Sequence, residues 1–268
     1  EVFLSKASEE GLPSEVPQNL PCCRFAISCC GSVLRQDYEP LEGAAEVAGL
    51  LPAGHGSLKI MPELAADGFR VFKWKVGLQS FEEEREIFES LIQELPVNGR
   101  LRIDANGGWG VMEAWRWLEA LEGEECVEFV EDPVEPALWE AAFGFCEAFG
   151  TSVALDLPMT AEEAPRILEK GWSGHWVIKP SLFGRVEDML ELTHRFSERV
   201  VFSTVFETVF GYEAVLRLAL AKGSAGLTLG MGGQDMFEED ALRLHPSAPV
   251  LQAGRIGFDE LEHAWGKL

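Results

Sequence analysis

The chain has 268 residues, 47 % of them hydrophobic and 25 % charged, enough for one large barrel or a barrel with a small appendage, and for a sizeable core. Its formal net charge of −23 gives a surface that repels phosphate backbones and anionic lipid, so no nucleic acid and no membrane is expected as a partner. No apolar run approaches the ~20 residues that cross a bilayer and no charged-then-apolar leader opens the chain, which predicts a soluble, cytoplasmic protein.

Residues 1–20 are polar, with scattered Pro and Gly, and read as a lead-in. Four of the six cysteines then cluster in "CCRFAISCC" as Cys22, Cys23, Cys29 and Cys30. The five-residue gap does not match the usual zinc spacing, and the segment reads as a buried helix or strand with small thiols in the core. From about residue 46, short apolar runs alternate with longer charged stretches of helical period. The spacing predicts strands over 46–51, 69–76, 101–104, 127–131, 152–156, 175–179, 200–203 and 226–229. Helices are predicted near 57–67, 81–94, 110–121, 136–149, 161–170, 185–198 and 207–221. The tail, 236–268, has its own short apolar pattern and is expected to pack outside the preceding elements or against residues 1–45.

Eight strands with crossover helices between them predict an α/β fold with a parallel sheet, closed as a TIM-like (β/α) barrel. An open doubly wound sheet is the alternative, but no G-x-G-x-x-G follows the first strand. In a barrel of this type the active site lies at the C-terminal ends of the strands. Five consecutive strands end there in ionisable residues: Lys73 and Lys75, Asp104, Glu131, Asp156 and Lys179. A lone Asp at a strand end is usually a helix cap or turn former, and a lone Lys is usually solvated. Five such ends in the order Lys, acid, acid, acid, Lys exceed what caps and turns require.

Three converging carboxylates repel one another unless a cation sits between them. Oxygen-only ligands suit a hard divalent ion, so Asp104, Glu131 and Asp156 are expected to hold Mg²⁺, with Mn²⁺ as a substitute. Lys75 and Lys179 would flank that ion. A lysine beside a metal and a second lysine has its pKa lowered, and can take an α-proton from a metal-bound carboxylate substrate. The metal would then hold the resulting enediolate.

These residues lie in "FKWKVGL", "LRIDANGGW", "FVEDP", "ALDLP" and "VIKPSLFG", and the chain thereby resembles the enolase superfamily in its muconate-cycloisomerase-like branch. The five histidines do not lie where the His-Asp pair of the mandelate-racemase branch would fall. With "LLPAG", "LPCCRFAISC", "GWSGHWVIKPSLFG", "VFSTVFETVFG" and "LTLGMGG", the text from about Leu20 to about Gly233 is similar to the cyanobacterial o-succinylbenzoate synthases of that branch. The resemblance implies a lyase. Lys75 would take the α-proton and return it to the departing hydroxyl, with Lys179 opposite as the stabilising cation. Lys73, Arg102 and Asn106 would support the metal and substrate carboxylate at the rim, and Ser203 with the backbone near Gly230 would hold the succinyl tail. The expected reaction is a syn-dehydration of a succinyl-hydroxycyclohexadiene carboxylate to o-succinylbenzoate, on the way to menaquinone or phylloquinone. N-acylamino acid racemisation or dipeptide epimerisation on the same lysines is an alternative, and a non-catalytic barrel acting as a binding partner is another. The partner expected is a small carboxylate, and the sequence sets no oligomeric state.

Two departures from the family pattern stand out. Leu157 and Pro158 follow Asp156 where relatives read D-E-S. Residues 1–45 are also too few for the family's N-terminal α+β cap, so the expected organisation is a cap remnant over 1–45, a barrel over 46–235 and a C-terminal segment over 236–268. A reduced cap predicts an open rim, with an apolar patch and mobile residues at 1–20 and around Gly77–Phe81.

Overall fold

The structure, a computed structural model, describes residues 16–34, 43–160, 162–205, 207–220, 227–232 and 248–252. In chain order these form α1 (Pro21–Leu34), β1 (Ala44–Glu46), β2 (Gly49–Leu51), α2 (Gly56–Ala66), β3 (Val71–Lys75) and α3 (Phe81–Glu94). There follow β4 (Arg100–Asp104), α4 (Val111–Ala120), β5 (Val127–Glu131), α5 (Ala141–Ala148), β6 (Val153–Leu155) and α6 (Glu163–Glu169). Last come β7 (His175–Ile178), α7 (Pro180–Phe183), α8 (Val186–Phe196), β8 (Val200–Phe202), α9 (Val209–Leu220) and β9 (Val250–Gln252). The chain divides into two compact units: Glu46–Met159 with Glu163–Val177, and Glu1–Ala45 with Thr160–Glu162 and Ile178–Leu268.

The first of these units is a parallel α/β sheet. Its strands pair in chain order, β2 with β3, β3 with β4, β4 with β5, β5 with β6 and β6 with β7, all parallel. Strands of such a sheet are covered on both faces and read as nearly continuous apolar runs. β3 follows that rule on one face only: Phe72 and Trp74 are fully buried, while Lys73 and Lys75 point the other way. In register, Lys73 lies beside Arg102 and Lys75 beside Asp104, and Asp104 in turn lies beside Glu131. A whole row of charge therefore shares the face that a plain parallel sheet would fill with Val, Ile and Leu. Helix α3 begins at a capping box, with the Ser80 hydroxyl accepting from the Glu83 N–H and the Glu83 carboxylate accepting from the Ser80 N–H.

In the second unit, α1 packs on α7 and α8. The Val186 N–H donates to the Ser28 hydroxyl at 3.1 Å, and that hydroxyl donates to Glu187 at 3.0 Å. Here β8 continues past its end through the Ser203 N–H, which donates to the Ile178 carbonyl at 2.9 Å.

Several expectations change. The helix expected over 136–149 divides into a 3-10 turn, Pro136–Leu138, and α5, and the break turns Trp139 inward beside Phe143. Of the strand expected over 226–229, Gly226 lies outside the described residues and 227–229 form no extended strand; the isolated parallel bridge, Ser203 to Gly230, falls one residue beyond. Residues 1–15 of the lead-in, and the tail apart from 248–252, also lie outside the described residues. "CCRFAISCC" is helical but its thiols are not core. Phe25 alone is buried among them, Cys23 and Cys29 are half-buried, and Cys22 and Cys30 are exposed.

Burial, reinforced by Cys30 and Glu187, pushes the Cys29 thiol up to about 12. Its thiolate should stay scarce until the pH approaches that value. Iodoacetamide at pH 8 is expected to label Cys30 well before Cys29, read by peptide mass spectrometry. Equal labelling of the two would show that α1 does not rest on α8 as described.

Candidate functional site

The ends of β3, β4, β5 and β6 carry a cluster of acids and lysines that lies within the first unit. Asp104, Glu131 and Asp156 are buried. The Lys73 ammonium lies between two of them, 2.9 Å from Asp104 Oδ2 and 2.6 Å from Glu131 Oε1. Lys75, 39 % exposed, reaches the same Asp104 oxygen at 2.6 Å and donates to Asn106 Oδ1 at 2.6 Å. Oxygens of Glu131, Asp132 and Asp156 lie within 4.8 Å of one another.

The local backbone is shaped for this convergence. The Asn106 N–H donates to Asp104 Oδ1 at 2.9 Å, and Asn106 takes a positive φ of 47°. Gly107 follows at φ 72°, and a Cβ there would stand 2.9 Å from Glu135 Cα, so the close approach of the loops after β4 and β5 requires glycine. The loop after Lys75 is held by Glu84, a buried carboxylate that accepts from the N–H groups of Gly77, Leu78 and Gln79 at 2.9, 3.0 and 3.2 Å. That loop was expected to be mobile. Three bonds to one carboxylate on α3 anchor it instead, and leave Leu78 at its tip 78 % exposed.

The electrostatics follow from burial. Desolvation pushes Glu131 up to about 8; Lys73 opposes this, but Asp104, Asp156 and Asp132 reinforce it. Asp132 is raised to about 7, first by burial and then by Asp156. Burial alone would lower Lys73, yet Glu131, Asp104 and Asp156 together hold its ammonium well above the ordinary lysine value. Burial raises Asp104 too, but Lys73 and Lys75 outweigh it and the net shift is downward. Four buried carboxylates against two ammonium groups leave a formal deficit of two charges, which is the charge of one divalent cation. All donors are oxygens, as Mg²⁺ or Mn²⁺ prefers, and the residues present therefore fit such an ion.

Arg102 was expected at the rim. It lies two residues before Asp104 on the same face, is 1 % exposed, and donates from Nε to Glu128 Oε2 at 2.6 Å with its guanidinium over the Phe129 ring at 4.9 Å. The register shift between Leu101 and Arg102 explains the pairing, because it leaves Glu128 as the extra residue of a bulge. Lys179, Ser203 and Gly230 belong to the second unit. Lys179 is the N-cap of α7, directly after β7. The Ser203 hydroxyl donates to the Gly230 carbonyl at 2.8 Å, which brings that expected pair together. Leu157 is 41 % exposed beside Asp156.

Two residues of the site went unread in the sequence. Glu84 carries no local signal. Asp132 does, since an Asp-Pro step just past a strand marks a turn, and the residue before a proline is pushed out of the right-handed helical region. Its φ is 42°.

Residues 59–226 match the family model described as enolase C-terminal domain-like. An o-succinylbenzoate synthase of Thermosynechococcus vestitus is 34 % identical over 209 residues, which is 76 % of this chain and 64 % of that protein. The chain thus spans just under two thirds of that relative's length. A solved o-succinylbenzoate synthase from Thermosynechococcus elongatus BP-1, with magnesium in its active site, superposes with a TM-score of 0.81 at 29 % identity, covering 100 % of this chain and 83 % of that one. An N-succinyl Arg/Lys racemase from Bacillus cereus shares the fold at a TM-score of 0.77 and 18 % identity, covering 97 % and 76 %.

Removing the shared ammonium tests the cluster directly. Lys73→Met is expected to cost roughly 3–5 kcal/mol of unfolding free energy in the metal-free chain, because it leaves Glu131 buried without its ion-pair partner. Urea unfolding in EDTA measures this. A loss under about 1 kcal/mol would mean that Lys73 is not the internal counter-ion.

Proposed function

The chain belongs to the enolase C-terminal domain-like family, and we propose that within it this protein is a magnesium-dependent o-succinylbenzoate synthase. The observation that carries the reading is the row of acid and lysine on one face: Asp104, Glu131 and Asp156 with Lys73 and Lys75. The likeness to the o-succinylbenzoate synthase of Thermosynechococcus strain BP-1, in sequence and in solved structure, supports it.

In this reading Asp104, Glu131 and Asp156 hold Mg²⁺. When bound, the ion supplies the missing positive charge and polarises a substrate carboxylate. Lys75 is the base. Its ammonium is tethered by Asp104 and Asn106 at a half-exposed position, and its neutral form would take the α-proton of the substrate. The C–H electrons move into the ring system, the C–O bond to the ring hydroxyl breaks, and Lys75 returns the proton so that water leaves and the ring becomes aromatic. Lys179 serves as the second lysine, a cation for the transient negative charge. Lys73 holds Asp104 and Glu131 in place. Arg102 acts below the rim through its bond to Glu128. Ser203 and Gly230 offer a short wall for the succinyl tail, where a side chain at 230 would collide with the Ser203 hydroxyl.

A spectrophotometric assay with the hydroxycyclohexadiene carboxylate tests the reading. Turnover should require Mg²⁺, stop in EDTA and resume with Mn²⁺. Lys75→Ala and Lys179→Ala are each expected to lower kcat by roughly 10²–10⁴-fold. Lys75→Arg should not restore it, because a guanidinium does not lose its proton. Full activity in Lys75→Ala would overturn the base assignment. Racemisation of an N-acylamino acid or epimerisation of a dipeptide, without dehydration of the diene, would overturn the substrate assignment.

A further inference from the structure

Asp132 takes no part in the reaction just described, yet both its carboxylate oxygens and both its backbone groups are hydrogen-bonded. It follows Glu131 directly. Strand geometry would send its side chain to the face opposite Glu131. Its positive φ of 42° takes it out of that alternation, a conformation that Asp tolerates better than most residues. The carboxylate turns sideways to the end of β6. Oδ1 accepts from the Asp156 N–H at 3.0 Å, and Oδ2 accepts from the Leu157 N–H at 2.9 Å. The Asp132 N–H donates to the Ala154 carbonyl at 3.0 Å, and the Asp132 carbonyl accepts from the Gly107 N–H at 2.8 Å. One residue thus ties together the segments at the ends of β4, β5 and β6, where Asp104 and Glu131 close their strands and Asp156 follows β6.

We infer that Asp132 is a positioning residue for the metal site, fixing the backbone of Asp156 so that its carboxylate lies beside that of Glu131. This rests on the reading of those acids as metal ligands. The last register pair between β5 and β6 is Glu131 with Ala154, so Asp156 and Leu157 lie beyond that ladder. The two carboxylate oxygens take the place that a further strand residue would fill. Two adjacent N–H donors need two acceptors. A carboxylate has both, whereas an amide of the same shape would meet one donor with an acceptor and the other with its own NH₂. A residue retained only for packing has no need of that pair. The tether also bears on Leu157, the apolar residue beside the third acid. Its backbone is held from Asp132, so its position does not depend on its own side chain.

The test uses the whole chain and reads metal binding apart from turnover. Mg²⁺ affinity is measured by isothermal titration calorimetry for the wild type, Asp132→Asn and Asp132→Ala, together with the melting temperature of each in EDTA. Outer partners of metal ligands typically tune affinity by roughly 10–100-fold. Asp132→Ala is expected to weaken Mg²⁺ binding by that amount, and Asp132→Asn, which keeps one acceptor, by less. A lowered melting temperature with unchanged Mg²⁺ affinity would show a merely structural residue and overturn the proposal. If the variants do not fold, hydrogen exchange on the metal-free wild type decides. Protected Asp156 and Leu157 amides support the tether, and amides that exchange as freely as an exposed loop overturn it. A wild type that binds Mg²⁺ but does not dehydrate the diene leaves the tether standing and removes only the substrate assignment. A wild type that binds no Mg²⁺ removes both.

Discussion

Four carboxylates buried on one face of a parallel sheet must be compensated, and most of the local architecture of the first unit serves that need. Removing Asp104, Glu131, Asp132 and Asp156 from water would cost several kcal/mol each if they stood alone. Lys73 meets part of the deficit by bridging Asp104 and Glu131, and Lys75 meets another part from a more exposed position. Backbone N–H groups add hydrogen bonds but no charge: Asn106 to Asp104, and Asp156 with Leu157 to Asp132. The two residual charges are what a divalent ion would satisfy. In a chain without the ion, the raised proton affinities of Glu131 and Asp132 let protons fill the same role.

This arrangement needs rigid walls. Phe72 and Trp74 anchor the opposite face of β3, so the two lysines cannot rotate outward without displacing core aromatic rings. Trp109 stacks on Trp117 with ring centroids 5.3 Å apart, which fixes the loop after β4 against α4. Glu84 binds the loop after β3 from α3. The charged row therefore rests on elements whose positions are set by ordinary apolar packing. Long charged side chains reach a common point because their backbones have few alternatives.

The sequence revealed the row and not its supports, for a physical reason. Strands covered on both faces are so uniformly apolar that Lys73, Lys75, Asp104, Glu131 and Asp156 stand out against them. Their two-residue alternation gives their common face without any tertiary knowledge. Arg102 stands out in the same way, but its partner depends on a bulge between Leu101 and Arg102 that no local pattern announces. Glu84 looks like one more acid on an acidic helix until the fold brings the loop after β3 over it. Asp132 was hidden by its neighbour, since the residue after a metal ligand would normally face away from the metal. The cysteines failed for the converse reason: small apolar residue types suggested a core position, but helical geometry around Phe25 decided their exposure.

The overall charge of −23 sets a last constraint on any anionic ligand. A carboxylate approaching such a surface is repelled at long range, and at physiological ionic strength that repulsion is screened over about 8 Å. What the ligand meets inside that distance is decided locally. At this face Lys73 and backbone donors offset part of the charge on the buried acids, a divalent ion would offset the rest, and the half-exposed cation is Lys75. Near the site the acids turn inward and the lysine remains accessible, so the local field can oppose the global one. That ordering, acids deep and lysine shallow, follows from side-chain length. Carboxylates on short stems stay beside the strand ends, and the four-carbon stem of Lys75 carries its ammonium past them. A strand residue with a shorter cationic side chain would leave the acids facing the ligand, and an anion would then find no favourable place on this surface.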